Sequence, residues 1–314
     1  PDSRDLAESA ELTSSSRLEL SELRAGSDFA QLDVSRAMLL PFAEGPAPTM
    51  SLELEAREAS ELHVELRTSS RRGGFTQDLV LAERTIELAQ GAQSVELDFG
   101  VDFERAQYAT LCLLANPDLR LRLSDARVTG VLALTKRAHE RVSDGSSTGQ
   151  APPEGIGVES FDFWIPERRP AGKNFAMRIS PALDVFAASN VAHGPERPVE
   201  SANAWAADPS DASPWIEFRW PVARKIGRVV LCCDTDFDHP MESVLMGHPE
   251  RAMPFCARAF EIQSKGETLV AVSDNHQSRR EFRLDVTTDC LRVAVQHPSP
   301  ELPASFFRVR IYES

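Results

Sequence analysis

The sequence predicts an all-β fold, two antiparallel β-sandwiches of jelly-roll-like type in tandem. Three observations carry that expectation. Apolar and polar residues alternate with period two over most of the chain, as strands with one buried face require. Stretches with helical periodicity are almost absent, which argues against a βαβ fold. At 314 residues the chain is long for one antiparallel sandwich and suits two domains. Apolar residues make up 42%, enough for two cores, and no run approaches the roughly 18 apolar residues that a membrane span needs.

Residues 1–30 carry Leu6, Leu12, Leu18, Leu20 and Leu23 at irregular spacing and read as a frayed lead-in. After the Gly45-Pro46 turn the pattern sharpens. Leu52 and Leu54 alternate with Glu53 and Glu55, and Leu62, Val64 and Leu66 with His63, Glu65 and Arg67. Val95, Leu97 and Phe99 follow the same rule, Tyr108 to Ala115 reads as a strand buried on both faces, and Leu119, Leu121, Leu123 and Val128 to Thr135 close a first sandwich over residues 1–137.

The apolar pattern then gives way to Ser143-Asp-Gly-Ser-Ser-Thr-Gly-Gln-Ala-Pro-Pro, so residues 138–157 read as a linker. Gly155-Ile-Gly157 lacks a third glycine and a following helix, and is read as linker rather than as a dinucleotide fingerprint. A second sandwich is expected over 158–314. Its strands are Phe161 to Pro166, Trp215 to Arg219, a separate Ile226 to Cys233 beyond a turn at Trp220-Pro221, and then Ala259 to Gln263, Leu269 to Val272, Phe282 to Val286, Leu291 to Val295 and Phe307 to Ile311.

Composition excludes some function classes. The 48 acidic against 34 basic residues leave a formal charge of -14, which disfavours nucleic acid as a partner because that affinity rests on neutralising phosphates. Five cysteines, Cys112, Cys232, Cys233, Cys256 and Cys290, cannot all pair within one chain. Cys232 and Cys233 are adjacent on a strand and point to opposite faces. Their apolar neighbours make them small hydrophobes, which favours a reducing compartment. Pro1-Asp-Ser-Arg-Asp carries no basic and apolar leader, and a removed one is left open.

A polar loop bearing Trp205, the strand Trp215-Ile-Glu-Phe218 and the terminal Phe307-Arg-Val-Arg-Ile-Tyr312 resemble the discoidin-like, galactose-binding β-sandwich over roughly residues 160–314. The resemblance implies ligands such as sugars, lipids or proteins on loops at one end, often near a structural calcium ion. Where such domains have Asp-Gly before the loop tryptophan, this chain has Glu200-Ser-Ala-Asn203. Phe161-Asp-Phe-Trp-Ile-Pro166, Asn190 with Arg197-Pro198, and Cys233-Asp-Thr-Asp-Phe-Asp-His-Pro240 resemble the C-terminal region of bacterial FAD-dependent oxidoreductases. That implies an accessory module whose FAD would sit in a preceding N-terminal catalytic domain, because no strand-GxGxxG-helix unit occurs in this sequence.

The candidate ligand-binding residues are Asn190, Arg197, Asn203, Trp205, Asp234, Asp236, Asp238 and His239. In an extended segment the three aspartates share one face, where a cation such as calcium, arginines such as Arg197, Arg279 or Arg280, or solvent would relieve their repulsion. Trp205 could stack on a pyranose ring with Asn203 binding hydroxyls, or plug its loop into the core. Trp164, Trp215 and Trp220 read as packing residues, and Asn275, His276, Arg279 and Arg280 as a solvated hairpin turn. Cys256, His248 and His239 match no zinc spacing, and no catalytic set is complete. The expected function is non-catalytic recognition of carbohydrate or another ligand, or domain docking. The alternatives are a hydrolase with its site in the Asp234 loop and a structural or oligomerisation module.

Overall fold

A computed structural model describes residues 5–73, 77–138, 162–167, 172–234, 255–300 and 302–314. Among them the regular structure is strand, with two short 3-10 turns at Ala7–Ser9 and Ala188–Ala192, and the strand pairs are antiparallel throughout. No helix among the described residues is long and apolar enough to cross a membrane.

In the first sandwich a six-stranded sheet runs, edge to edge, through Asp162–Pro166, Leu132–Ala138, Arg36–Phe42, Gln107–Leu113, Ser60–Thr68 and Leu79–Leu88. The opposing sheet runs through Asn174–Phe175, Leu119–Ser124, Thr49–Ala56, Met177–Leu183 and Leu20–Leu23. Phe29–Gln31 is also paired to Leu119–Ser124, and Gly91–Leu97 to Thr49–Ala56. The alternation sets which side chains meet between the sheets. Met50, Leu52, Leu54 and Ala56 face Met38, Leu40, Leu62, Val64, Leu66 and Leu111 in one buried cluster, while Glu53 and Glu55 stay outside it.

The second sandwich is built on one long pair, Trp215–Cys232 against Arg279–Val295. Its register shifts between Arg219 and Arg224 and again between Ile226 and Arg228, irregularities of the kind that bend a strand and re-aim its side chains. The first half of Trp215–Cys232 is flanked by Glu11–Ser14, and its later half by the terminal Arg308–Glu313. Phe260–Ser264 lies on the other side of Arg279–Val295 and carries Glu267–Val272 at the edge. The expected turn at Trp220-Pro221 is therefore corrected to an irregularity inside a continuous strand. The indole of Trp220 is buried and its Nε1 donates to the Leu6 carbonyl at 3.0 Å.

Strand pairing also corrects the expected boundaries. Asp162–Pro166 pairs with Leu132–Ala138, and Asn174–Phe175 and Met177–Leu183 join the first sandwich, so these strands do not open the second. Conversely the lead-in is not frayed. Glu11–Ser14 pairs with Trp215–Cys232, Leu6 and Ala7 are buried in the second core, and Leu20–Leu23 and Phe29–Gln31 are strands of the first sandwich. Most of the expected linker lies outside the described residues, except Ala138, which ends a strand.

The two sandwiches share a wall. Along the end of Trp215–Cys232, Val229 and Leu231 enter the second core while Val230 and Cys232 enter the first. Trp205 and Phe306 likewise belong to the second core, and their neighbours Ala204, Ala206 and Phe307 to the first. A strand buried on both faces reads as an unbroken apolar run, which is the pattern Val229-Val-Leu-Cys-Cys233 shows.

Candidate functional site

The loop residues singled out from the sequence do not assemble into an open pocket. Trp205 is fully buried, stacks on Phe306 with ring centroids 6.2 Å apart, and donates its Nε1–H to the Ser16 carbonyl at 3.0 Å. Of its two readings the core plug is the one observed, and it has no face left for a sugar. Asn190 Nδ2 donates to the carbonyls of Val185 and Ala204 at 2.7 and 2.8 Å, tying its own loop together. Asn203 sits at φ +43°, and its Nδ2 donates to the Pro195 carbonyl. Arg197 is exposed.

Asp234 is 1% exposed and lies on the wall between the sandwiches. Thr129 Oγ1 donates to its Oδ2 at 3.5 Å and sits 3.1 Å from Ser305 Oγ. Burial, and then the charge of Asp234, pushes the Tyr108 hydroxyl well above its ordinary pKa. Asp234 is thus withdrawn from solvent at the contact between the sandwiches. Asp236, Asp238, His239 and His248 lie outside the described residues, so the cation and arginine-pairing readings of the aspartates, and the zinc reading, rest on the sequence. No group of three His, Cys, Asp or Glu among the described residues is arranged to hold a metal ion. The expected solvated turn is corrected at Asn275 alone, since His276 and Arg279 are exposed as expected. Asn275 is fully buried, and its Oδ1 accepts from Arg280 Nη1 at 3.2 Å.

A better site lies on the outer face of the second sandwich, where Trp215–Cys232 runs beside Arg279–Val295. Alternation sends Ile216 and Phe218 into the core and leaves Trp215, Glu217 and Arg219 on the other face. The register sets Glu217 opposite Arg292, and Arg292 opposite Gln263 of the next strand. Arg219 Nε donates to Glu217 Oε1 at 2.6 Å, and Arg292 Nε and Nη2 reach Oε2 at 2.9 and 2.7 Å. Each carboxylate oxygen thus has its own guanidinium, the arrangement in which charge-assisted hydrogen bonds are strongest. Arg292 also lies over the half-buried Trp215 ring, 4.1 Å from its centroid.

Glu217 is only 4% exposed. Burial alone would raise its pKa, but hydrogen bonds from Arg292, Cys290 and Arg219 outweigh it, and the carboxyl sits below its ordinary 4.5. It is therefore ionised at neutral pH and its lone pairs are occupied, which suits it to hold the two arginines and not to transfer a proton. A cavity of about 390 Å³ opens beside it, lined also by Lys265, Asp289 and Cys290. Lys265 pairs with Asp289 at 3.0 Å at the turn between Phe260–Ser264 and Glu267–Val272. A second depression of about 520 Å³ lies further along the same face, between Pro214, Glu261 and Ala294. The face can offer guanidinium donors fixed by Glu217, the Asp289 carboxylate as acceptor and the half-buried indole of Trp215 to a neutral polar ligand.

Sequence reasoning placed Trp215 among the packing residues and passed over Glu217, Arg219 and Arg292. The signal was present in the phase of Trp215-Ile-Glu-Phe-Arg219 and of Leu291-Arg-Val293. Two strands whose charged residues share the outer face are a site only if they are neighbours, and neighbourhood was not visible.

No family model matches the chain, and no curated protein matches it. Among solved structures, chitosan-binding module 1 from a chitosanase/glucanase of Paenibacillus sp. IK-5 matches at 16% identity and a TM-score of 0.30, covering 41% of this chain and 86% of that one. The family 32 carbohydrate-binding module of Streptococcus pneumoniae EndoD matches at 14% identity and a TM-score of 0.31, again over 41% and 86%. The lectin domain of lectinolysin, complexed with Lewis B antigen, matches at 11% identity and a TM-score of 0.31, over 43% and 89%. These matches lend nothing to the resemblance to flavin oxidoreductases.

Proposed function

We propose that the chain is a non-catalytic recognition module and that the outer face of its second sandwich binds a saccharide. The observation that carries this reading is the preorganised set on that face, in which Glu217 holds Arg219 and Arg292 in place and Arg292 rests on Trp215 beside an open cavity. Neighbouring hydroxyls of a sugar ring need donors and acceptors at fixed spacing, and side chains already locked by one another lose little freedom when the ligand arrives. An accessory place beside a flavin domain in a longer protein rests on the sequence resemblance alone. A calcium ion at Asp234, Asp236 and Asp238 rests on their spacing.

The test is glycan-array screening followed by calorimetry on the full chain, with Arg292→Ala, Arg219→Ala and Trp215→Ala compared with the parent and their folds checked by circular dichroism. The expected result is a weak saccharide ligand whose affinity falls at least about tenfold in Arg292→Ala, the loss of roughly 1.4 kcal/mol. Affinity unchanged in all three folded variants moves the site elsewhere. A folded chain that binds no glycan overturns the saccharide reading in favour of docking. Calorimetry repeated with a chelator tests the calcium proposal separately, because the arginine face needs no cation.

A further inference from the structure

Away from that face, the segment following Phe255 crosses the end of Trp215–Cys232 and brings two thiols together. Asn275, fully buried, donates one Nδ2 amide to both sulfurs, at 3.3 Å to Cys256 Sγ and 3.7 Å to Cys233 Sγ. One amide nitrogen at these distances from both sulfurs places the two thiols side by side around Asn275. The surrounding backbone holds the geometry. Cys233 N–H donates to the Ser278 carbonyl at 2.7 Å, Asn275 N–H donates to the Arg258 carbonyl at 2.8 Å, and the Asn275 amide also donates to the Ala257 carbonyl at 3.0 Å. The pair is asymmetric. Cys256 Sγ accepts from the Asn275 amide at the shorter distance, a contact that favours negative charge on that sulfur.

We propose that Cys233 and Cys256 form a peroxide-oxidisable thiol pair that closes to a disulfide, with Cys256 attacking and Cys233 resolving. The oxidant is hydrogen peroxide, because Cys233 and Cys256 are at most 3% exposed and a peptide disulfide such as glutathione's is too large to reach their sulfurs. In the first step the Cys256 sulfur attacks one peroxide oxygen. An S–O bond forms, the O–O bond breaks, and the departing oxygen leaves as water with the thiol proton, so Cys256 becomes a sulfenic acid. In the second step the Cys233 sulfur attacks the Cys256 sulfur, the S–S bond forms, and the S–O oxygen leaves as a second water with the Cys233 proton. Two thiols are oxidised to one disulfide and one peroxide is reduced to two waters. The bond ties the chain on either side of residues 235–254 to itself.

The other cysteines have no such arrangement. Burial pushes the Cys112 thiol up to about 12, and Cys290 is raised by burial and by its hydrogen bond with Glu217. Selectivity for the pair is therefore part of the proposal.

The test treats the full chain with equimolar hydrogen peroxide, blocks the remaining thiols under denaturing conditions, and maps the peptides by mass spectrometry without reduction. The expected result is a Cys233–Cys256 cross-linked peptide two hydrogens lighter than the separate peptides, with Cys112, Cys232 and Cys290 alkylated, and with reversal by a dithiol reductant. Cys233→Ser should then accumulate a sulfenic acid at Cys256 that a dimedone probe traps, whereas Cys256→Ser should give no adduct at Cys233. Alkylation of all five thiols in the treated parent, a disulfide to any other cysteine, or a sulfenic acid first at Cys233 overturns the proposal. The parent measurement needs no variant to fold.

Discussion

At the scale of single residues, Trp205 takes the core-plug reading of its two alternatives, while Trp215, expected to be a packing residue, does not lie in the core. Trp205 fills the second core and Trp215 stands on its outer face under Arg292. Trp205→Ala should lower stability by about 3–5 kcal/mol, the usual cost of emptying a large aromatic site, read as a fall in denaturant midpoint at unchanged slope; an unchanged midpoint would mean that the indole is not in the core. Glu217 makes a pH prediction. Its pKa is lowered in the folded protein by hydrogen bonds from Arg292, Cys290 and Arg219 acting against burial. The stability it contributes is therefore present above the ordinary carboxyl value and is lost as pH falls through the lower folded value. Glu217→Gln should unfold more easily than the parent at neutral pH, and the two unfolding curves should converge below the ordinary 4.5. A gap that persists or widens in acid would contradict the ion-pair assignment.

At the scale of elements, strands are traded between the sandwiches. Asp162–Pro166 sits on the outside of Leu132–Ala138, and Met177–Leu183 lies beside Thr49–Ala56, while Glu11–Ser14 edges the second sandwich. Each half of the sequence therefore completes the other's sheets. A protease site inserted between Ser143 and Gly149 and then cut should leave two fragments that co-elute in gel filtration and separate only in denaturant. Fragments that part as two folded species in native buffer would restore the simple division at the linker. The long Trp215–Cys232 strand explains why a turn was expected at Trp220-Pro221. Proline interrupts a ladder, and the structure accommodates it where the register already breaks, between Arg219 and Arg224.

At the scale of the whole molecule, the wall between the sandwiches is apolar through Val230, Cys232 and Phe307, with a polar seam at Thr129, Asp234 and Ser305. Burying Asp234 there takes a charged group out of the loop that its sequence context suggested. By itself the sequence determined the all-β class, most of the strands and, where alternation is clean as in Leu52 and Leu54 or Leu62, Val64 and Leu66, which side chains face inward, because these follow from local alternation and turn residues. It also marked Tyr108 to Ala115 as a strand buried on both faces, because an unbroken apolar run leaves no side for water, and the structure buries Tyr108 to Leu113. It did not determine which strand lies beside which, and so could not assign Asp162–Pro166, Asn174–Phe175, Met177–Leu183 and Glu11–Ser14 to their sandwiches. Only the tertiary structure decided those pairings, because many strands of similar length and polarity can pair in register, and what selects among them is the simultaneous filling of two cores. For the same reason the site at Glu217, Arg219 and Arg292 had no local signature. Its residues are ordinary outward-facing charges until the pairing of Trp215–Cys232 with Arg279–Val295 sets one carboxylate between two guanidiniums.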